Sequence, residues 1–117
     1  MQVKSNMPQY KMVVMSDPVE GREKDYNQWY QEVHLPELVA LEGIRSARRL
    51  RRVRTLGERE TYSNMVIYEI EADDIDAVLD NLVSVAMDGQ ITMSDAIDRK
   101  NAHAAIYEEL GPEVSEP

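Results

Sequence analysis

The chain has no cysteine and no phenylalanine, and only one tryptophan, two histidines and five glycines in 117 residues. Without cysteine there is no disulfide, no thiolate nucleophile and no Cys-type zinc site. The glycines are scattered, so no glycine-rich phosphate loop forms. No stretch approaches the ~20 apolar residues of a membrane span, and residues 1–8 lack the apolar core and cleavage pattern of a signal peptide. Positive charge is also short. Thirteen basic residues face 22 acidic ones for a formal net charge of −9, which argues against nucleic acid and anionic membrane as partners. A soluble, cytoplasmic protein is the expectation.

What remains suits one domain over residues 1–117, with a core at about 10–111 and an acidic tail at 112–117. With 43% apolar residues, the core must come from Val, Ile, Leu, Met and Tyr. Seven methionines make that interior deformable, which suits a ligand pocket or ordinary gap-filling.

Residues 10–15 are rich in strand formers and end at the turn signal Ser16-Asp17-Pro18. Tyr26, Trp29, Tyr30 and Val33 then recur at helical spacing, with Glu23 and Asp25 in the first turn, where the helix dipole favours acids. Pro36 predicts a kink or end near His34 and a short second helix closed by Gly43. Residues 44–55 and 62–70 predict a hairpin turning at 56–58. Asp73 or Asp74 caps a helix with Ile75, Val78, Leu79, Leu82 and Ala86 on one face, and Gly89 ends it. Residues 90–100 read as a loop and 102–110 as the last strand.

The order β-α-β-β-α-β is the ferredoxin-like α+β arrangement, a four-stranded antiparallel sheet with two helices on one face. The strands carry apolar residues on both parities, Met12 and Val14 against Val13 and Met15, and Val66 and Ile70 against Met65 and Ile67. A sheet with water on one side would alternate cleanly. The second face is therefore expected to meet another copy of itself, giving a homodimer.

Tyr26, Tyr30 and His34 are spaced by four and climb one helix face, with Trp29 beside them and Asn27 projecting near the His34 direction. Two readings of His34 stand: a packed imidazole that braces the kink, or an acid–base group in a pocket between helix and sheet. Metal binding has little basis, since His34 and His103 lie in different elements and no two-histidine-plus-acid spacing occurs.

The runs Pro18-x-Glu20-Gly21-Arg22-Glu23, Tyr26-Asn27-x-Trp29-Tyr30-x3-His34-Leu35-Pro36-Glu37 and Gly43-Ile44-x-Ser46-Ala47-Arg48-Arg49 resemble the dimeric α+β barrel superfamily, particularly its EthD-like branch. Tyr68-Glu69-Ile70 and Tyr107-Glu108-Glu109-Leu110-Gly111 are similar to that branch as well. The resemblance implies a homodimer of sheets packed face to face, a pocket between the first helix and the sheet, and a recurrent histidine at His34. Relatives include polyketide cyclases, cofactor-free monooxygenases and muconolactone isomerases.

Seven arginines lie between 45 and 59. With a turn near Glu58, Arg48 falls opposite Tyr68 and Arg45 opposite Glu71. An arginine beside Tyr68 would clamp a carboxylate or enolate oxygen, while simple pairing with acidic residues is the competing reading. A one-residue slip would exchange the two faces.

These features combine into a small homodimeric pocket protein, an isomerase, cyclase or lyase working by proton transfer on a small hydrophobic, oxygenated compound without a cofactor. His34 would be the acid–base group, with Trp29, Tyr30, Asn27, Arg48 and Tyr68 binding the substrate. The alternatives are a non-catalytic dimeric ligand-binding or accessory protein of a catabolic cluster, and a haem-binding protein or monooxygenase with His34 as an axial ligand.

Overall fold

The computed structural model describes residues 7–117. Most of the segment read above for a signal peptide lies outside these. Strand β1 is Gln9–Ser16, β2 is Ile44–Arg51, β3 is Asn64–Glu71 and β4 is His103–Glu108. They form one antiparallel sheet in the order β2-β3-β1-β4. Helix α1 (Glu23–Trp29) continues through a π-helical turn (Tyr30–His34) into α2 (Leu35–Val39), and α3 is Ile75–Met87. The ferredoxin-like βαββαβ order is thus observed. Among the described residues no helix is long and apolar enough to cross a membrane.

The core lies between the sheet and the α1–α2 rod. Met12, Val66, Tyr68, Ile70 and Ile44 from the strands meet Tyr26, Trp29, Tyr30, Leu35 and Leu38 from the helices. The pleat sets this selection, because Met12 pairs with Tyr68 and Ile106, and Val14 with Val66. Asp74 caps α3, its side chain accepting from the Ala77 amide at 3.2 Å. Gly43 takes φ +89° after α2, and a Cβ there would stand 2.8 Å from Val78 Cγ2. Its missing side chain therefore makes the turn and lets α3 approach.

The opposite sheet face carries Val13, Met15, Met65, Ile67, Leu50 and Ala105, and no helix of the described residues covers it. Leu50 is 42% exposed there. The molecule is correspondingly thin, 23 Å along its shortest axis.

The short second helix expected at Pro36 is present, but the interruption before it is a widened turn rather than a plain kink or end. A proline ring clashes with the carbonyl four residues back. Here the backbone widens before Pro36, the Leu35 amide reaching the Tyr30 carbonyl five residues away. The rod then continues with Pro36 in its first turn, where no amide is needed. The hairpin register also differs. Ala47, not Arg48, lies opposite Tyr68, and Arg48 pairs with Ile67. Strand β2 stops at Arg51, residues 52–63 form an open connection rather than a tight turn, and a bulge between Ile44 and Ser46 shifts the pairing at the far end.

Candidate functional site

The helix–sheet seam gathers an aromatic and hydroxyl cluster. Ser16, at the end of β1, is buried, and its hydroxyl lies 2.7 Å from that of Tyr26. Tyr26 packs edge-on against Tyr30 at 5.0 Å, and Tyr30 lies 4.7 Å from Trp29. Burial raises all three phenol pKa values, Tyr26 to about 12, Tyr30 and Tyr68 in the same direction. These side chains are therefore neutral near pH 7 and serve as hydrogen-bonding groups rather than bases.

His34 closes the row. Its ring stacks on Trp29 at 4.6 Å and 29°, and meets the edge of Tyr30 at 5.3 Å. In an unbroken α-helix a residue five positions on would point about 140° away. The π-turn brings it back over Trp29. His34 Nδ1 is buried with no hydrogen-bond partner. Desolvation drives its pKa down to about 4, only partly opposed by the charge of Glu37. The imidazole is neutral at physiological pH and keeps an unsatisfied polar atom, a costly arrangement for a group that only packs. The rings of Trp29 and Tyr30 are among its neighbours.

A strap from the 90–98 segment lies over this end of the helix. Trp29 Nε1 donates to the Thr92 carbonyl at 2.9 Å, and the Thr92 amide donates to Glu37 Oε2 at 2.7 Å. The Thr92 bonds hold the Glu37 carboxyl below its usual range. The Val19 amide reaches the Ala96 carbonyl at 2.7 Å, and Arg22 pairs with Asp95 at 3.1 Å.

The structure therefore brings together Trp29, Tyr30 and His34, with Tyr68 in the same buried cluster. Asn27 is exposed and bonds to Arg49 instead. Arg48 is not part of this cluster. It lies on the uncovered sheet face beside a groove of about 280 Å³ that Ser46, Ile67 and Glu69 also line. The register slip exchanged the arginines, so that Arg49 faces the helix. Its guanidinium stands 5.3 Å from the Tyr30 ring centroid and 5.8 Å from that of Tyr26. Sequence reading missed Arg49 and Ser16. The one available signal was Ala47, the smallest apolar residue of β2 and the one best able to sit beneath a helix, which places Arg49 on the same side.

His34 and His103 lie on opposite sides of the sheet, His103 being paired with Met15 on the uncovered face. Among the described residues no group of three or more His, Asp or Glu is placed to hold a metal ion.

No protein-family model and no curated protein matches this chain. Among solved structures, an ethyl tert-butyl ether D (EthD) family protein from Bacillus halodurans C-125 has the same fold. The TM-score is 0.62 at 18% identity, covering 87% of this chain and 99% of that one. The EthD-like fold expected from the Trp-Tyr-x3-His-Leu-Pro run is therefore present.

Proposed function

We propose that this chain is a homodimeric pocket protein that binds a small hydrophobic, oxygenated molecule at the helix–sheet seam, with His34 as the acid–base group of a cofactor-free isomerase, cyclase or lyase. The observation that carries this reading is the unpartnered Nδ1 of His34, held at the end of the Trp29–Tyr30 aromatic row by a π-turn. Such turns recur at functional sites because they re-aim a side chain at a cost in regular hydrogen bonding. A neutral imidazole can accept or donate at a developing charge without carrying charge itself. Tyr30 and Trp29 would form the wall, and Tyr68 the floor. Arg48 has no part in this site. The dimer rests on the uncovered apolar sheet face, which a second copy would cover, and on the thinness of the single subunit.

The non-catalytic reading also has an observation in its favour. Of the grooves on the surface, one of about 560 Å³ is bordered by Tyr26 of the aromatic row and not by His34. A carrier or accessory subunit would use the aromatic row for binding alone, with His34 bracing the helix.

Thermal-shift screening of small aromatics, lactones and polyketide-like compounds, followed by product analysis, separates the two. Turnover by the wild type that disappears in a folded His34→Ala variant supports catalysis. Equal turnover in both removes His34 from the chemistry, and stabilisation without product supports the carrier.

A further inference from the structure

Arg49 is held by two hydrogen bonds to one residue, yet among the described residues no ion pair includes it. Its Nη2 donates to Asn27 Oδ1 at 2.5 Å and its Nη1 to the Asn27 carbonyl at 3.3 Å. Both acceptors are neutral oxygens of one residue, which fixes the guanidinium plane and leaves further N–H donors of the fork unspent. The rings of Tyr26 and Tyr30 back it at 5.8 and 5.3 Å. In a chain of 22 acidic residues, an arginine serving only to join strand to helix would be expected against a carboxylate. Lys11 and Arg22 are held that way, whereas none of the ion pairs among the described residues includes Arg49.

The guanidinium opens onto a groove of about 560 Å³ between α1 and β2, lined by Tyr26, Asn27, Arg49, Leu50, Arg51 and Ser63 among others. That volume suits a small ligand. Arg51 adds a second cation that none of the ion pairs among the described residues includes. Glu23 also borders the groove, with its Oε1 receiving the Gly21 amide at 3.3 Å. The local balance is positive in an otherwise anionic molecule.

We propose that this groove is a carboxylate-binding site, in which Arg49, held by Asn27, takes the carboxylate of a small molecule. A fork of N–H donors matches two carboxylate oxygens at once. The site stands independently of any chemistry at His34, which does not line the groove.

Benzoate and its neutral counterpart benzyl alcohol are suitable probes, titrated into ¹⁵N-labelled full-length protein and followed by amide chemical shifts. The expected result is saturable shifts with benzoate, concentrated at residues 26–27, 49–51 and 63–64, and much smaller ones with benzyl alcohol. Arg49→Gln should weaken benzoate at least about tenfold, the loss expected for a charge-assisted contact. Asn27→Asp tests the same point without removing the arginine. A carboxylate fixed against Arg49 competes with the ligand, so benzoate binding should disappear while the fold is kept. His34→Ala should leave benzoate binding unchanged. Equal shifts from both probes, shifts centred elsewhere, no saturable shift in the wild type, or benzoate binding that survives in the folded Asn27→Asp protein would overturn the proposal.

Discussion

The imidazole of His34 lies 4.6 Å from the indole of Trp29, five residues earlier in the chain, with the ring planes inclined by only 29°. An α-helix cannot stack that pair, because it turns the two side chains to different faces. The widened turn at Tyr30–His34 makes the contact, and the proline two positions beyond His34 gives the backbone reason to widen there.

Trp29 is the only tryptophan, so its emission reports on this stack. Protonating the imidazole puts a cation against the indole and should change the emission. The transition is expected at about pH 4 rather than near the ordinary histidine value, and should be absent in His34→Phe. A midpoint near 6.5 would mean that the ring is solvated.

The same shift makes stability depend on pH, with a definite sign. The folded pKa lies below the unfolded one, so between about 4 and 6.5 the unfolded chain binds more protons. Stability from this group is complete above that window and is lost as the pH falls through it, by no more than about 1.4 kcal/mol per pH unit. Glu37, whose pKa is also lowered, acts in the same direction at lower pH. Urea midpoints measured from pH 4 to 7 should rise with pH in the wild type and lose most of that slope in His34→Phe.

Tyr26→Phe takes from the buried Ser16 hydroxyl its 2.7 Å partner and leaves it the Tyr30 phenol alone. The expected cost is about 0.5–1.5 kcal/mol, the net value of one hydrogen bond. Adding Ser16→Ala should cost little more, because the bond it loses to Tyr26 is already gone. Chemical denaturation of both single variants and the double variant measures the coupling directly.

Gly43→Ala should destabilise by more than about 1 kcal/mol. The left-handed backbone at φ +89° disfavours any side chain, and the new methyl would meet Val78 Cγ2 at 2.8 Å. Thermal denaturation checks it, and Gly57→Ala is the control, since φ +99° there comes with open space. The difference between the two isolates the contact with α3.

Ile67 sits at the centre of the uncovered sheet face, between Val13 and Arg48. Ile67→Lys should convert a dimer to a monomer in sedimentation velocity with little change in far-UV circular dichroism. A wild-type chain that sediments as a monomer at micromolar concentration would remove the dimer from the proposed function.

The element order was legible because periodicity is a local property. Tyr26, Trp29, Tyr30 and Val33 draw a helical stripe, and strands β1 and β3 carry apolar residues on both faces of the sheet. The aromatic row beside His34 followed from the same spacing. Its stacking did not, since nothing in a proline says whether a helix will end, kink or widen ahead of it.

The choice between Arg48 and Arg49 was of another kind. Adjacent arginines are equivalent in composition, and pairing Tyr68 with position 47 or 48 differs by one residue in a loop of uncertain length. That slip exchanges every side chain between the faces. Packing decides it: a small Ala47 fits opposite buried Tyr68 beneath the rod, while Arg49 finds Asn27 and two aromatic faces at the edge. The sequence by itself determined the order of strands and helices, the aromatic stripe and the twofold greasiness of the sheet, because these depend on near neighbours. The tertiary structure alone decided which arginine faces the helix and where the imidazole points, because both turn on contacts between distant segments whose alternatives differ by a single step along the chain.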